Sequence, residues 1–398
     1  MQTISDRVMS LASSQTLAMS QKSAELKAQG VDVINLSVGE PDFNTPAHIK
    51  AAAVRAIEDN FSFYSPVPGY MSLRKAIADK LSRENGLDYA PTQIVVGNGA
   101  KHALCNVIMA TVNPGDEVII PTPAWVSYIE MVKLAEGKAV LVPSGLDTDF
   151  KITPAQLEAA ITDRTRAIIL CSPSNPTGSV YSTAELQALA DVLARYPQVL
   201  VIADEIYEHI VYDGLEFTSL ASFPALKDRT VVINGVSKAY AMTGWRIGYC
   251  AAPAPIAAAV TKLQGQFTSG ASSIAQKAAE AAYTGSQECV AEMREAFERR
   301  RNLVVRLARE IPGFKVNEPK GAFYLFPEVS AYFGKSAHGH TITDASALAM
   351  YLLEVANVAT VDGAAFCAPG YIRLSYATSD ENLTEAFRRI KAALADLE

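Results

Sequence analysis

The stretch that decides the fold is Thr230-Val231-Val232-Ile233-Asn234-Gly235-Val236-Ser237-Lys238-Ala239-Tyr240-Ala241-Met242-Thr243-Gly244-Trp245-Arg246-Ile247-Gly248. Its first five residues form a short β-branched apolar run and read as a buried strand. The run empties into a loop of small residues holding one lysine, Lys238, and one arginine, Arg246, eight positions later. A lysine held at a strand end beside another cation suits a Schiff base with an aldehyde. The planar fork of an arginine suits a phosphate. Taken alone, a lysine after a strand is more often a solvated loop residue, so the reading depends on the rest of the chain.

Working outward, the same strand-and-turn pattern repeats. Strands are predicted over Ile94–Val96, Glu117–Ile120, Ala139–Val142, Ala167–Cys171, Val199–Ala203, Val231–Asn234 and Gly248–Ala251. Several are continuous Val/Ile/Leu runs, as expected of a sheet buried on both faces. Helices are predicted between them over Ala100–Thr111, Trp125–Glu136 and Thr183–Tyr196. The alternation implies an α/β domain with helices on both faces of the sheet. The remainder reads as a smaller α+β domain. It comprises a helix over Ser20–Gly30 and a charged amphipathic helix over Ala291–Glu310. Strand pieces follow at Ala322–Phe326 and Tyr371–Tyr376, with helices near Asp344–Glu354 and Glu381–Leu397. Glu295 and Arg299 are spaced for a salt bridge on a solvated helix face. The expected division is a large domain over 46–284 and a small one from 1–45 with 285–398.

Composition narrows the function classes. The 398 residues are 49% hydrophobic and 19% charged, with a net charge of -7. That describes a globular protein with a large core and disfavours nucleic-acid binding. Five scattered cysteines lack C-x-x-C spacing, which disfavours zinc and a disulfide framework and suits a reducing cytoplasm. No apolar run reaches the length of a membrane span, and the N-terminus lacks a signal-peptide core.

Ligands of open α/β sheets sit beyond the carboxyl ends of the strands, and polar residues gather there. Asp204 closes one strand, with Tyr207 three residues on. An acid at that point would pair with a protonated pyridine nitrogen, although a helix N-cap is an equal reading. Ser172-Pro173-Ser174-Asn175-Pro176-Thr177-Gly178 is a rigid turn that offers the amide of Asn175 to a ring oxygen, or merely caps itself. Gly97-Asn98-Gly99-Ala100-Lys101 opens a helix whose free N–H groups suit a phosphate. The third glycine of a dinucleotide fingerprint is replaced there by His102, which disfavours a nicotinamide oxidoreductase. Trp125 at a strand-to-helix turn would stack on an aromatic ring or pack in the core. Arg373, on a strand otherwise flanked by apolar residues, suits a carboxylate or a structural ion pair. A metal site built on Asp204, Glu208 and His209 lacks a second histidine at ligand spacing. One cofactor carries both an aldehyde and a phosphate: pyridoxal 5′-phosphate.

Together these residues resemble the class I and II aminotransferases of the pyridoxal-phosphate fold type I, with closest similarity to the bacterial aspartate and aspartate/prephenate subgroup. The motifs are Gly39-Glu40-Pro41-Asp42-Phe43, Ser172–Gly178, Asp204-Glu205-Ile206-Tyr207, Gly235–Gly248 and Arg373-Leu374-Ser375-Tyr376. The resemblance implies a mainly parallel seven-stranded sheet. It implies that Lys238 holds the cofactor covalently and shuttles a proton, while Asp204 pairs with the pyridine nitrogen. Tyr207 and Asn175 would bond the ring oxygen. Arg246, Ser237, Gly99, Ala100 and Lys101 would surround the phosphate, and Trp125 would stack on the ring. Arg373 and Gly39 would hold the substrate α-carboxylate, and Lys101 the distal carboxylate. Tyr64 would reach the phosphate of a second subunit, which implies a homodimer with shared sites.

The implied reaction is ping-pong transfer from L-aspartate to 2-oxoglutarate. Aromatic, glutamate or prephenate transamination is the alternative, followed by β-elimination. A regulator that kept the fold is the rival from another class; the fused regulators carry an added DNA-binding domain, for which the stretch before Gly39 leaves no room. Ala124, Ile129 and Gly235 stand where many relatives carry tyrosine, proline and serine. Thr16 falls in the region that shapes the site of prephenate-using relatives.

Overall fold

The structure is a computed structural model, and it describes residues 3–12 and 15–398, with the side chains of residues 15–17, Thr16 among them, outside the described residues. After a short strand β1 (Ile34–Asn35), seven strands build the central sheet. They are β2 (Ile94–Gly97), β3 (Glu117–Thr122), β4 (Lys138–Pro143), β5 (Thr165–Cys171), β6 (Leu200–Asp204), β7 (Thr230–Gly235) and β8 (Gly248–Ala251). Their spatial order is β2-β8-β7-β6-β5-β3-β4. All neighbours run parallel except β8, which is antiparallel to both β2 and β7. The expected mainly parallel seven-stranded α/β sheet is therefore what the chain forms.

The apolar runs explain the sheet's burial. Val95, Val118, Ile120, Ile169, Ile202, Val231 and Ile233 face one layer, packed on the helices Ala100–Thr111, Ser127–Leu134 and Ala254–Phe267. The intervening residues face the other way: Ile119, Ile168, Leu170 and Val201 toward the helix Thr183–Ala194, and Ile94, Val96 and Val232 toward Met71–Asn85 and Ser273–Thr284. Side chains alternate across a strand, so only an unbroken apolar run can bury both faces.

A second core forms where the long helix Glu288–Arg309 meets Ala345–Val355 and Asp380–Ala395. It is joined from the far end of the chain by β1, which pairs parallel with Val358–Ala359. The long helix corrects one expectation. Arg299 does not rest on Glu295; it reaches Asp380 at 3.0 Å. Arg300 pairs with Asp42 at 2.7 and 2.9 Å, and Arg301 with Asp213 at 2.5 and 3.1 Å. Glu295 and Arg299 do lie on the expected solvated face, whereas Arg300 and Arg301 are buried and form an internal clamp. Burial favours tertiary carboxylates over intrahelical neighbours because each guanidinium needs its charge and its donors satisfied at once.

Candidate active site

The turn after β7 is shaped by absent side chains. Gly235 pairs with Gly248 across the β7–β8 ladder. A Cβ at 235 would lie 2.7 Å from the Gly248 Cα, and one at 248 only 2.1 Å from the Ala100 N. A serine at 235 has no room, which gives a physical reason for that departure from other relatives. The close packing turns the chain so that Lys238 enters a cavity of about 330 Å³. Its Nζ donates to the Gly39 carbonyl at 2.5 Å and lies 5.6 Å from the Tyr207 ring centroid. Burial, then the nearby Arg373, lowers the Lys238 pKa to about 8, while Glu40 and Asp204 pull it the other way. Such an amine exchanges protons readily near neutral pH.

Asp204 ends β6 and faces the same cavity. Its Oδ2 accepts from Tyr128 Oη at 2.6 Å and its Oδ1 from the Ile206 N–H at 3.3 Å. Burial pushes its pKa up, opposed by those two hydrogen bonds and by Lys238. A cation against this carboxylate would offset the cost of burying it. Tyr207 Oη lies 2.8 Å from Tyr324 Oη. Asn175 follows β5 in a turn with cis bonds at Ser172-Pro173 and Asn175-Pro176, and its Oδ1 accepts from Arg373 Nη1 at 3.0 Å. Arg373 also donates from Nη2 to the Ser37 carbonyl at 2.7 Å. Its guanidinium sits 4.6 Å from the Tyr324 ring and 4.9 Å from that of Phe366. Its Nε is buried without a partner.

The opposite end of the cavity is cationic. Gly99 has φ +89, and a Cβ there would lie 2.2 Å from Arg246 Nη2. Arg246, itself at φ 56, donates to the Thr243 and Asn98 carbonyls at 2.8 and 3.3 Å. The helix Ala100–Thr111 begins here, and its first N–H groups have no intrahelical acceptor. Ser237 and Ala100 line the wall. Lys101 Nζ lies over the Trp125 ring at 4.7 Å, and desolvation followed by Arg246 lowers its pKa. Trp125 meets Tyr128 edge-on at 5.4 Å.

The cavity thus gathers the residues singled out in the sequence, with two exceptions. Gly99 contributes backbone beside Arg246 rather than a wall. Tyr64 is 99% exposed and stands away from this cavity, beside Phe63 and Ser272. Sequence reasoning missed Tyr128, Cys171, Glu40 and Tyr324, which all line it. Glu40 lay in a quoted motif without an assigned role of its own; Tyr128 and Tyr324 carried no local signal. Glu208 and His209 turn elsewhere, Glu208 to Lys80 and Asn85, and His209 to Glu84. Among the described residues, no cluster could hold a metal ion, and no helix is long and apolar enough to cross a membrane.

The sequence matches the family profile of aminotransferases of class I and II over residues 31–390. It is 53% identical, over 99% of both chains, to the aspartate/prephenate aminotransferase of Cereibacter sphaeroides. The crystal structure of the aspartate aminotransferase from Rhizobium meliloti superposes with a TM-score of 0.96 at 46% identity, covering 100% of each chain. The aspartate aminotransferase from Thermus thermophilus with maleate superposes at 0.92 and 41%, covering 99% of this chain and 100% of that one.

Proposed function

Because the chain belongs to the class I and II aminotransferases, we propose that it transfers the amino group of L-aspartate to 2-oxoglutarate, giving oxaloacetate and L-glutamate by a ping-pong route. The cofactor is pyridoxal 5′-phosphate. The cavity fits it: the Gly99–Arg246 cradle has no space for a side chain, Asp204 needs a cationic partner, and the amine of Lys238 is easily deprotonated. Asp204 would hold the ring nitrogen, Tyr207 and Asn175 the ring oxygen, and Trp125 the ring face. Arg246, Ser237 and the backbone of Gly99, Ala100 and Lys101 would hold the phosphate. Bound there, the cofactor supplies an aldehyde for the amino group and a cationic ring that draws electrons away from the substrate.

The chain's own residues do the rest. Lys238 would hold the cofactor covalently through the cofactor's aldehyde carbon and, once released, its Nζ would carry a proton between the substrate Cα and that carbon. Asp204, backed by Tyr128, stays negative beside the ring nitrogen and so favours its protonated form. Arg373 receives the α-carboxylate in its fork, with Asn175 and the Ser37 carbonyl fixing its plane. Gly39, already touching Lys238, closes that end against water.

The observation that carries the substrate is a pair of cations, Arg373 and Lys101, in one cavity with Lys238. Two cations fit a dicarboxylate, and a maleate-bound relative has the same fold. A second reading, transamination of aromatic acids or prephenate, is supported by the exposure of Lys101: its flexible side chain rests on Trp125 with no ion pair among the described residues to hold it, so it has room to swing aside. A panel of amino donors and 2-oxo acids on purified enzyme tests both. Aspartate with 2-oxoglutarate should turn over fastest. Ammonia and pyruvate released from cysteine conjugates without any keto acid would place the protein among lyases instead.

The same reading includes a homodimer in which Tyr64 reaches the phosphate of the other copy. The exposure of Phe63 (80%) and Tyr64 (99%) supports it, since rings this exposed on a monomer suit an interface. We assign a large domain to 46–284 and a small one to 1–45 with 285–398; the Arg300–Asp42 pair and the β1 pairing tie the two parts of the latter together. Five unpaired cysteines support a reducing, cytoplasmic setting.

A further inference from the structure

Tyr324 belongs to none of the motifs quoted above, yet it touches three residues to which they assign work. Its hydroxyl lies 2.8 Å from Tyr207 Oη. Its ring lies beneath Arg373, 4.6 Å from the guanidinium carbon. Its hydroxyl also presses against Gly39, where a Cβ would come within 2.6 Å of it. Tyr324 is 1% exposed. It lies on β9 (Tyr324–Leu325), antiparallel to the strand Ile372–Ser375 that carries Arg373. Its position is therefore fixed by the same ladder as the arginine it supports.

Two phenols at this separation share one hydrogen, and other demands decide its direction. On the function proposed above, the hydrogen of Tyr207 is committed to the cofactor's ring oxygen. Tyr207 must then accept, and Tyr324 must donate. Burial pushes both hydroxyls above the ordinary phenol value, so both keep their hydrogens at neutral pH. A phenol that accepts one hydrogen bond becomes a stronger donor in the next.

We propose that Tyr324 is a positioning residue with two separable tasks. Its hydroxyl, by donating to Tyr207, aims the Tyr207 hydrogen into the cofactor site. Its ring, beneath Arg373, fixes the plane of the guanidinium that receives the α-carboxylate. The proposal deepens the aminotransferase reading and rests on it. Other charged and titratable groups face the same atoms: Cys171 and Arg373 toward Tyr207, and Arg373, Glu40, Arg246 and Asp204 toward Lys238. Tyr324→Phe leaves all of these in place.

The test titrates the visible band of the bound cofactor against pH and measures aspartate kinetics in wild type, Tyr324→Phe, Tyr324→Leu, Tyr207→Phe and the Tyr207→Phe/Tyr324→Phe double variant. Tyr324→Phe should raise the titration midpoint by about half a unit, roughly a threefold change in the protonation equilibrium, because Tyr207 stabilises the negative ring oxygen less. Its KM for aspartate should stay that of wild type. Tyr324→Leu should also raise that KM, about three- to thirtyfold, the range of a desolvated cation–π contact. In the Tyr207→Phe background, Tyr324→Phe should add no further midpoint shift. An unchanged midpoint in Tyr324→Phe, or a shift that persists without the Tyr207 hydroxyl, would overturn the first task. An unchanged aspartate KM in Tyr324→Leu would overturn the second. A wild-type protein with no titrating visible band would instead remove the cofactor reading itself, and this proposal with it.

Discussion

Lys238 is where the chemistry concentrates, and its amine is the residue most sharply exposed to test. Lys238→Ala should lose transamination turnover by at least about a hundredfold, since general acid–base transfer alone is worth that much; steady-state oxaloacetate formation checks it. The lowered pKa also has a consequence for stability. A lysine whose folded pKa is about 8 carries its charge into the fold at a cost below that pH, and gives up its proton on folding between about 8 and the ordinary lysine value. In the protein without cofactor it therefore destabilises the fold at pH 7, and this cost fades as pH rises from about 8 toward 10.5. Lys238→Met should stabilise the cofactor-free protein at pH 7 by on the order of 2 kcal/mol. In thermal or urea unfolding the gap should close over that pH window; a gap that widens would contradict the assigned direction. Lys101 governs selection rather than chemistry. Lys101→Ala should raise the KM for aspartate at least about tenfold more than that for phenylalanine, the size of one charge-assisted hydrogen bond, as measured by kinetics on the two donors.

At the scale of elements, strand ends collect the site, and this much was legible in the chain. Unbroken runs such as Val199–Ala203 and Val231–Asn234 demand burial on both faces, which suits parallel strands, and parallel strands share their carboxyl ends at one edge of the sheet. Asp204, Asn175 and Lys238 could be placed together on that ground. The partners that hold them could not. Tyr128 reaches Asp204 from within a helix and Tyr324 reaches Tyr207 from a two-residue strand, and neither position differs locally from ordinary core. The strand β1 was hidden for the same reason: two residues carry no period, and its pairing with Val358–Ala359 arises from tertiary packing. The arginines of Glu288–Arg309 misled because a four-residue spacing is visible in a sequence and a distant aspartate is not. The loop Gly97–Lys101 makes its own prediction. Gly99→Ala forces a side chain against Arg246 in a left-handed backbone. Even if Arg246 swings clear, it leaves the phosphate, so cofactor affinity by equilibrium dialysis should fall at least about tenfold.

For the whole molecule, the proposal joins two copies through Tyr64. If each site needs a tyrosine from its neighbour, a mixture of two dead variants should regain activity. Tyr64→Ala and Lys238→Ala subunits, mixed after dissociation, should form hybrids in which one site holds both native residues. Activity should then return to about a quarter of wild type, the statistical yield of such sites at equal mixing when pairing is random. No recovery, in a mixture shown by native mass spectrometry to contain hybrids, would mean that each chain builds its site alone. The arginine clamp belongs to this scale too. Arg300 and Arg301 secure the long helix to Asp42 and Asp213, so the segment carrying Gly39 is tied to the second core as well as to the loop between β7 and β8, through Lys238, Thr243 and Trp245.

On the proposed function, Lys238 and the residues around it move an amino group rather than eliminate it. The most direct measurement mixes the purified enzyme, loaded with pyridoxal 5′-phosphate, with L-aspartate and no keto acid. One oxaloacetate should be released per site, followed by arrest, with no ammonia and with recovery on adding 2-oxoglutarate, and none of this should occur in Lys238→Ala. Continuous release of ammonia from aspartate, or an equal burst from Lys238→Ala, would contradict that function.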